Sequence, residues 1–251
     1  MPASPIRKLV PLAEAARARG TKIYHLNIGQ PDLPSPQTGL DALKKIDRTV
    51  LEYSPSDGYR SLREKLVGYY EQFQIKLSPD DIIVTTGGSE AVLFAFMSCL
   101  NPGDEIIVPE PAYANYMAFA ISAGAVIRPV VSSIEQGFAL PDVAEFEKLI
   151  NDRTRGILIC NPNNPTGRLC DAARMEKILA VCSEMGTRLF ADECFLDMTD
   201  GGESLKPFLA QYPRLFLLKA FTKSYGMAGV RLGYGLCADA SLLHDMSETV
   251  P

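Results

Sequence analysis

The sequence predicts an α/β fold built on a largely parallel sheet. Short apolar runs alternate with amphipathic stretches along most of the chain, which is the order expected of successive strand and helix units. Several of the apolar runs are continuous in β-branched residues and leucine, which is typical of strands covered on both faces. The predicted strands are Ile82–Thr85, Glu105–Val108, Val126–Val131, Gly156–Cys160, Thr187–Ala191, Leu215–Lys219 and Leu232–Leu236.

Helices are predicted between these strands from apolar spacing and end signals. One helix has its apolar face at Leu62, Leu66, Tyr69, Tyr70 and Phe73. Asp142 followed by Glu145 resembles a capping box that opens a helix through Leu149. A third helix, ended by Gly186, has its apolar stripe at Met175, Ile178, Leu179 and Cys182.

The first part of the chain has a different pattern. It contains a predicted helix, Leu9–Ala18, ended by Gly20, then a strand-like stretch, Lys22–Ile28, and then a glycine-proline turn. We therefore expect residues 1–48 to form an N-terminal arm and part of a small domain, and residues 49–251 to form the large domain. A chain of 251 residues, 47% of them hydrophobic, can bury a core of that size.

Composition excludes several function classes. The net charge of −5 argues against nucleic acid or an anionic membrane surface as the main partner, and no apolar run approaches the length of a membrane span. Residues 1–8 lack the apolar core of a signal peptide, and the six cysteines show no CxxC pairing, so reduced, buried thiols in a cytoplasmic protein are expected. His25 and His244 lie far from any second cluster of metal ligands, and no Walker A or GxGxxG sequence is present.

Lys223 lies between a predicted strand and a glycine-rich turn, and Arg231 follows eight residues later. An amine can form a Schiff base with an aldehyde and a guanidinium can hold a phosphate, so the pair suits a ligand that carries both groups. Pyridoxal 5'-phosphate (PLP) is such a ligand. A solvated surface lysine is the alternative interpretation.

A second candidate site is the turn after the first predicted strand, where Gly87, Gly88 and Ser89 precede a helix. Free backbone N–H groups at a helix start attract anions, and glycines let a phosphate approach closely. An ordinary tight turn between a strand and a helix would have the same sequence.

The loop that follows Gly156–Cys160 contains two Asn-Pro steps and a Thr-Gly pair, in residues 161–167. Such a loop is rigid and extended, and it lies at the carboxyl end of a strand, where α/β proteins place ligands. Asn164 could donate a hydrogen bond to a phenolic oxygen of the cofactor. A purely structural turn is the alternative.

Three further side chains have two interpretations each. Asp192 ends an apolar strand, where a carboxylate needs a partner. That partner could be a cationic pyridinium nitrogen. Alternatively, Asp192 could cap a helix N-terminus or form an ion pair with Arg188 or Lys219. The ring of Tyr113 could stack on the cofactor or belong to the core. Tyr53 could donate to a phosphate or occupy a turn.

Together these segments, from Asn27 to Tyr234, resemble a class I/II aminotransferase of the fold type I PLP enzymes. The resemblance implies a three-layer αβα large domain with a seven-stranded, mainly parallel sheet, in which Leu232–Leu236 is the one antiparallel strand. It also implies PLP as cofactor, an amino acid and a 2-keto acid as substrates, and a homodimer with active sites at the subunit interface.

The resemblance assigns roles to the candidate residues. Lys223 would be the Schiff-base lysine and move the substrate's proton, and Asp192 would pair with the pyridine nitrogen. Asn164 would bind the phenolic oxygen, Tyr113 would stack on the ring, and Gly29 and Asn164 would lie beside the substrate. The remaining predicted cofactor contacts are Gly87, Gly88, Ser89, Thr222, Arg231 and, from the partner subunit, Tyr53.

The sequence also departs from the family pattern. Phe195 stands where the family commonly has tyrosine and Ala220 where it often has serine, and both changes resemble the histidinol-phosphate aminotransferase and threonine-phosphate decarboxylase branch. A PLP-dependent decarboxylase of a phosphorylated amino acid is therefore the second hypothesis. Family members continue into a small C-terminal domain, which we expect to be absent here, so a catalytically silent PLP-binding protein is the third hypothesis.

Overall fold

The computed structural model describes residues 7–27 and 29–249, and those residues form one seven-stranded sheet. The strands are β1 (Ile82–Thr85), β2 (Glu105–Glu110), β3 (Val126–Val131), β4 (Thr154–Cys160), β5 (Arg188–Asp192), β6 (Leu215–Ala220) and β7 (Gly233–Leu236). Their order across the sheet is β1-β7-β6-β5-β4-β2-β3. Strand β7 is antiparallel to both neighbours and every other pair is parallel. All seven predicted strands and the antiparallel position of the last are confirmed, with ends shifted by at most two residues.

Helices connect the strands and cover both faces of the sheet. They are α1 (Val10–Ala18), α2 (Gln37–Lys44), α3 (Arg60–Glu71), α4 (Gly88–Cys99), α5 (Asn115–Ser122), α6 (Val143–Glu147), α7 (Ala172–Met185), α8 (Phe221–Ser224) and α9 (Ala240–Thr249). The predicted stop signal of α7 is confirmed, because Gly186 adopts the left-handed conformation that glycine tolerates best. No helix of the described residues is both long and apolar enough to span a bilayer.

The core consists of two layers, one on each face of the sheet, because successive side chains of a strand point to opposite faces. Ile157 and Ile159 of β4 face a cluster that includes α3, α6 and α7, whereas Leu158 and Cys160 face a cluster that includes α4, α5 and α9. Side chains of a strand point to opposite faces in turn, so a continuous apolar run is required where both faces are covered. The three-layer αβα architecture predicted from the sequence is therefore confirmed.

Two local predictions are wrong. Residues 22–27 contain no strand, and residue 28 lies outside the described residues; with Tyr24 and Leu26 71% and 95% exposed, this stretch pairs with no part of the sheet. The capping box predicted at Asp142 does not form. The Asp142 side chain instead forms an ion pair with Arg174 at 2.8 Å, and the short helix α6 has no side-chain cap.

The six cysteines all lie in the described residues and are free thiols. Cys160, Cys182, Cys194 and Cys237 are buried, as predicted, whereas Cys99 and Cys170 are only partly buried.

Candidate active site

The candidate residues converge because of the sheet topology. Parallel strands have their carboxyl ends at one edge, and β1, β4, β5 and β6 all end there. Asp192 at the end of β5 lies between Cys160 of β4 and Leu218 of β6 in the strand register. The antiparallel β7 begins at the same edge, where Gly233 is paired with both Thr85 and Ala220.

The turn after β1 forms a cradle for an anion. Gly87 has φ of 93°, in the left-handed region, and Gly88 starts the 12-residue helix α4 with no side-chain cap. Among the described residues, the backbone N–H groups of Gly88 and Ser89 have no hydrogen-bond acceptor. A Cβ atom placed on Gly87 would lie 2.5 Å from Nη2 of Arg231, so the guanidinium borders the same turn. Free N–H groups, the helix dipole and a cation together attract a phosphate.

Gly233 is a site residue that the sequence reasoning missed. A Cβ on Gly233 would lie 2.5 Å from the carbonyl carbon of Gly87 and 2.6 Å from the nitrogen of Gly88. Strand β7 can approach the anion cradle only because this position has no side chain. The signal available in the sequence is the pair of glycines, Gly233 and Gly235, within a strand that is otherwise apolar.

Cys194 and Gly88 form a second close contact in the cradle. A Cβ on Gly88 would lie 2.8 Å from Sγ of Cys194, so Gly88→Ala overpacks the cradle and should lower the free energy of unfolding by about 1–3 kcal/mol. Adding Cys194→Ala should recover part of that loss, which urea unfolding of the two single variants and the double variant measures.

Gly68→Ala is the matched control, because a Cβ on Gly68, inside α3, meets no atom within 4 Å. This variant should be neutral or more stable by about 0.5–1 kcal/mol, since alanine favours a helix over glycine. Additive effects of Gly88→Ala and Cys194→Ala would contradict the predicted contact.

Lys223 lies on the one-turn helix α8 with its amine directed back over the site. Its Nζ donates a hydrogen bond to the carbonyl oxygen of Gly29 and lies 5.0 Å from the centre of the Phe195 ring. Partial burial lowers the pKa of the Lys223 amine, and the neighbouring Arg231 guanidinium also lowers it. The neutral, nucleophilic form of this amine is therefore more accessible than in a solvated lysine.

Asp192 is a buried carboxylate held by two donors. Its side chain accepts a hydrogen bond from Tyr116 Oη at 2.6 Å and another from the Cys194 backbone N–H at 3.0 Å, and the residue is 8% exposed. Among the described residues, Asp192 forms no ion pair, since Lys219 pairs instead with Asp197 at 3.1 Å. The carboxylate thus lacks the cationic partner that a buried charge requires.

These contacts decide against the alternative roles weighed for Asp192. Arg188 lies at the opposite end of β5 from Asp192. The one-turn helix that follows, Leu196–Met198, has Phe195 at its N-cap position. Among the described residues, the Asp192 carboxylate therefore forms neither the ion pair with Arg188 or Lys219 nor the helix N-cap that the sequence left open as alternatives.

Tyr116 is a second site residue that the sequence patterns did not indicate, since within this segment they pointed to Tyr113. Burial, and then the neighbouring Asp192 carboxylate, raise the pKa of Tyr116 well above its ordinary value, so its hydroxyl keeps its proton and donates a hydrogen bond to Asp192. The ring of Tyr113 meets the ring of Tyr116 edge to face, with centres 5.3 Å apart. The sequence offered no signal beyond the position of Tyr116 on the apolar face of α5.

The loop of residues 161–167 is fixed from both sides. The buried Asn161 donates to the Glu203 carbonyl at 2.9 Å and accepts from the Cys170 N–H at 3.0 Å, and Asn163 donates to the Pro111 carbonyl at 3.0 Å. The side chain of Asn164 has no hydrogen-bond partner among the described residues and is half-buried. This rigid loop therefore places the side-chain amide of Asn164 where it is free to bind a ligand.

The remaining predicted residues differ in placement. Ser89 and Thr222 are half-buried beside the cradle and Lys223, and Gly29 joins the site through its hydrogen bond from Lys223. Tyr53 is not brought to this group, because its side chain is fully exposed at 101%.

Residues 21–250 match the family model described as aminotransferase class I and II. The chain belongs to the class I and II aminotransferases. It is 31% identical over 239 residues to an aspartate aminotransferase of Thermotoga maritima, which covers 92% of this chain and 63% of that protein. The family implies PLP as cofactor.

Solved aminotransferase structures have the same fold. A double mutant of Thermus thermophilus aspartate aminotransferase superposes with a TM-score of 0.91 at 28% identity, covering 99% of this chain and 65% of that one. An alanine aminotransferase from Pyrococcus furiosus gives 0.90 at 31% identity, covering 98% of this chain and 65% of that one. This aminotransferase chain thus spans less than two thirds of these relatives.

Proposed function

We propose that this chain binds PLP and transfers an amino group between an amino acid and a 2-keto acid. The observation that carries the proposal is the buried Asp192 carboxylate, which has two hydrogen-bond donors and no cationic partner among the described residues. It lies at the same sheet edge as an amine with a lowered pKa and an anion cradle. Membership of the aminotransferase family supports the same chemistry.

The residues fit each chemical part of PLP. Asp192 would hold the protonated ring nitrogen, Gly88, Ser89 and Arg231 would hold the phosphate, and Lys223 would bond to the aldehyde carbon. Asn164 would donate its free amide to the phenolic oxygen, and Tyr113 would cover the ring. When bound, PLP supplies an aldehyde that takes the amino group and a ring that withdraws electrons from the substrate's Cα.

The chain's own residues carry the proton steps. Asp192 keeps the proton on the ring nitrogen, and Tyr116 and the Cys194 N–H fix the orientation of its carboxylate. The Lys223 amine, whose pKa is lowered by burial, accepts the proton that leaves the substrate's Cα. The carbonyl of Gly29, which accepts from Lys223 Nζ, holds the amine next to the residue that would lie beside the substrate.

Exposed apolar side chains support the proposal of a homodimer. Leu26, Leu51 and Tyr53 are 95%, 82% and 101% exposed in the single chain, and all precede the first strand. Large apolar side chains left this exposed are typical of a surface that contacts another polypeptide. In the proposed dimer Tyr53 would reach the phosphate of the partner subunit.

Phe195 and Ala220, the two departures from the common family pattern, both lie in the site. The Phe195 ring is 5.0 Å from Lys223 Nζ, and Ala220 Cβ would be 3.4 Å from a Cβ on Gly88. Neither residue can form the hydrogen bond of the tyrosine or serine that it replaces. The proposed amino transfer needs neither bond, because Lys223, Asp192 and the cradle supply its steps.

A visible absorption spectrum of the chain with PLP tests the function. We expect a band of lysine-bound PLP that shifts to the amine form of the cofactor when a suitable amino acid from a panel is added. Pyridoxal, which lacks the phosphate, is the control ligand and should bind much more weakly than PLP. Release of CO₂ without formation of the amine form would favour a decarboxylase. The absence of any band of lysine-bound PLP would contradict the proposal.

A further inference from the structure

The helix that carries Lys223 is too short to hold itself in place. Helix α8 spans Phe221–Ser224, a single turn, and a single turn is unstable without outside contacts because nucleation fixes several residues for few hydrogen bonds. Its first residue is anchored well: the Phe221 N–H donates to the Leu232 carbonyl at 3.0 Å, and its ring packs against Tyr225 with centres 5.3 Å apart. The other end, with Lys223 and Ser224, needs a separate anchor.

Asp197 supplies that anchor with its two carboxylate oxygens. Ser224 Oγ donates to Oδ2 of Asp197 at 2.9 Å, and Lys219 Nζ donates to Oδ1 at 3.1 Å. Lys219 is the penultimate residue of β6, and it is 3% exposed. A continuous polar chain therefore connects the central sheet to the end of α8 through one carboxylate.

The buried Lys219 ammonium keeps Asp197 in place. A buried cation requires a hydrogen-bonded partner, since leaving it uncompensated is strongly unfavourable. Glu193 is the other carboxylate beside Lys219, but its oxygens accept from Ser204 Oγ at 2.7 Å and from the Leu205 N–H at 2.8 Å. Asp197 is thus the carboxylate that bonds to Lys219, and its second oxygen remains for Ser224.

We propose that Asp197 is a positioning residue for Lys223. It acts through Ser224, fixing the end of α8 so that the Lys223 amine points over the site rather than into solvent. The inference rests on the proposed role of Lys223 as the residue that bonds to PLP. A carboxylate that only neutralised Lys219 would have no effect on Lys223, so the two roles can be separated.

The rate of covalent attachment at Lys223 measures the positioning. PLP is added to the unaltered chain and to Asp197→Ala and Ser224→Ala, the adduct is fixed with borohydride at timed intervals, and the Lys223 peptide is quantified by mass spectrometry. We expect Asp197→Ala and Ser224→Ala to slow attachment by about tenfold, the effect of losing a hydrogen bond to a charged group. Asp200→Ala is the matched control, because Asp200 is an exposed carboxylate in the same segment with no partner among the described residues.

Hydrogen exchange without PLP gives a second readout. The Tyr225 amide donates to the Phe221 carbonyl at 3.2 Å and reports on α8, and the amides of Leu217 and Leu218 report on β6. In Ser224→Ala the Lys219–Asp197 ion pair remains, so we expect faster exchange at Tyr225 with unchanged exchange in β6. Faster exchange throughout β6 as well would indicate a general structural role and overturn the proposal.

The outcomes distinguish the positioning role of Asp197 from the proposed function of the chain. An adduct in the unaltered chain, together with equal attachment rates in Ser224→Ala and Asp200→Ala, would overturn the positioning role and leave the proposed function standing. No adduct in the unaltered chain would overturn both. If Asp197→Ala does not fold, Ser224→Ala decides alone, since it removes only the bond to α8.

Discussion

Replacing Lys223 with alanine should abolish covalent attachment of PLP. The Lys223 amine combines partial burial, a lowered pKa and a place near Arg231 and Cys194, two residues that border the anion cradle. Its loss removes both the proposed nucleophile and the proposed acceptor of the Cα proton, so amino transfer should fall by at least about 10²–10⁴-fold, the range for general acid–base catalysis. Borohydride trapping followed by peptide mass spectrometry measures the attachment, and conversion of PLP to its amine form measures the transfer.

Lys223→Arg is the matched control for charge. An arginine can still donate to the Gly29 carbonyl, but its guanidinium stays protonated and cannot form the bond to the aldehyde. We therefore expect Lys223→Arg to retain non-covalent PLP binding while losing the trapped adduct. An adduct that persists in Lys223→Ala and maps to Lys219, the nearest lysine in the sequence, would refute the assignment.

Most of the fold could be predicted from the sequence because most of its strands are buried on both faces. Such strands must be largely apolar, so β1, β4 and β6 stand out as apolar runs bounded by glycine, proline or charged residues. The stretch of residues 22–27 mixes apolar and polar side chains as a half-buried strand does, and yet it pairs with no strand among the described residues, because pairing depends on a neighbouring strand that local sequence does not encode.

The candidate site could be predicted only in part. Motifs that directly follow a strand, such as Gly87–Ser89 and Lys223, consist of neighbouring residues and can therefore be recognised in the sequence. Tyr116 and Gly233 were missed because their roles depend on contacts between distant segments: Tyr116 lies 76 residues from Asp192, to which it donates. Sequence patterns report which residues suit a ligand, whereas the partners that orient them depend on the tertiary fold.

The charge of Asp192 should govern the transfer step and leave attachment intact. Asp192→Asn keeps the shape of the side chain and an oxygen that can accept from Tyr116, but removes the negative charge that would keep the ring nitrogen protonated. We expect amino transfer to fall by about 10²–10³-fold, the effect of removing one preorganised electrostatic contact. Borohydride trapping at Lys223 should proceed as in the unaltered chain, because the bond to the aldehyde does not involve Asp192.

Two further variants separate charge from packing. Asp192→Ala leaves both the Tyr116 hydroxyl and the Cys194 N–H without their acceptor and should lower the free energy of unfolding by about 1–3 kcal/mol, whereas Asp192→Asn keeps an acceptor for one of the two donors and should lower it less. Asp200→Asn makes the same chemical change at an exposed carboxylate and should alter neither rate nor stability. If Asp192→Asn transferred amino groups as fast as Asp200→Asn, the Asp192 charge would have no part in the reaction, and this buried carboxylate would be only a structural acceptor for Tyr116.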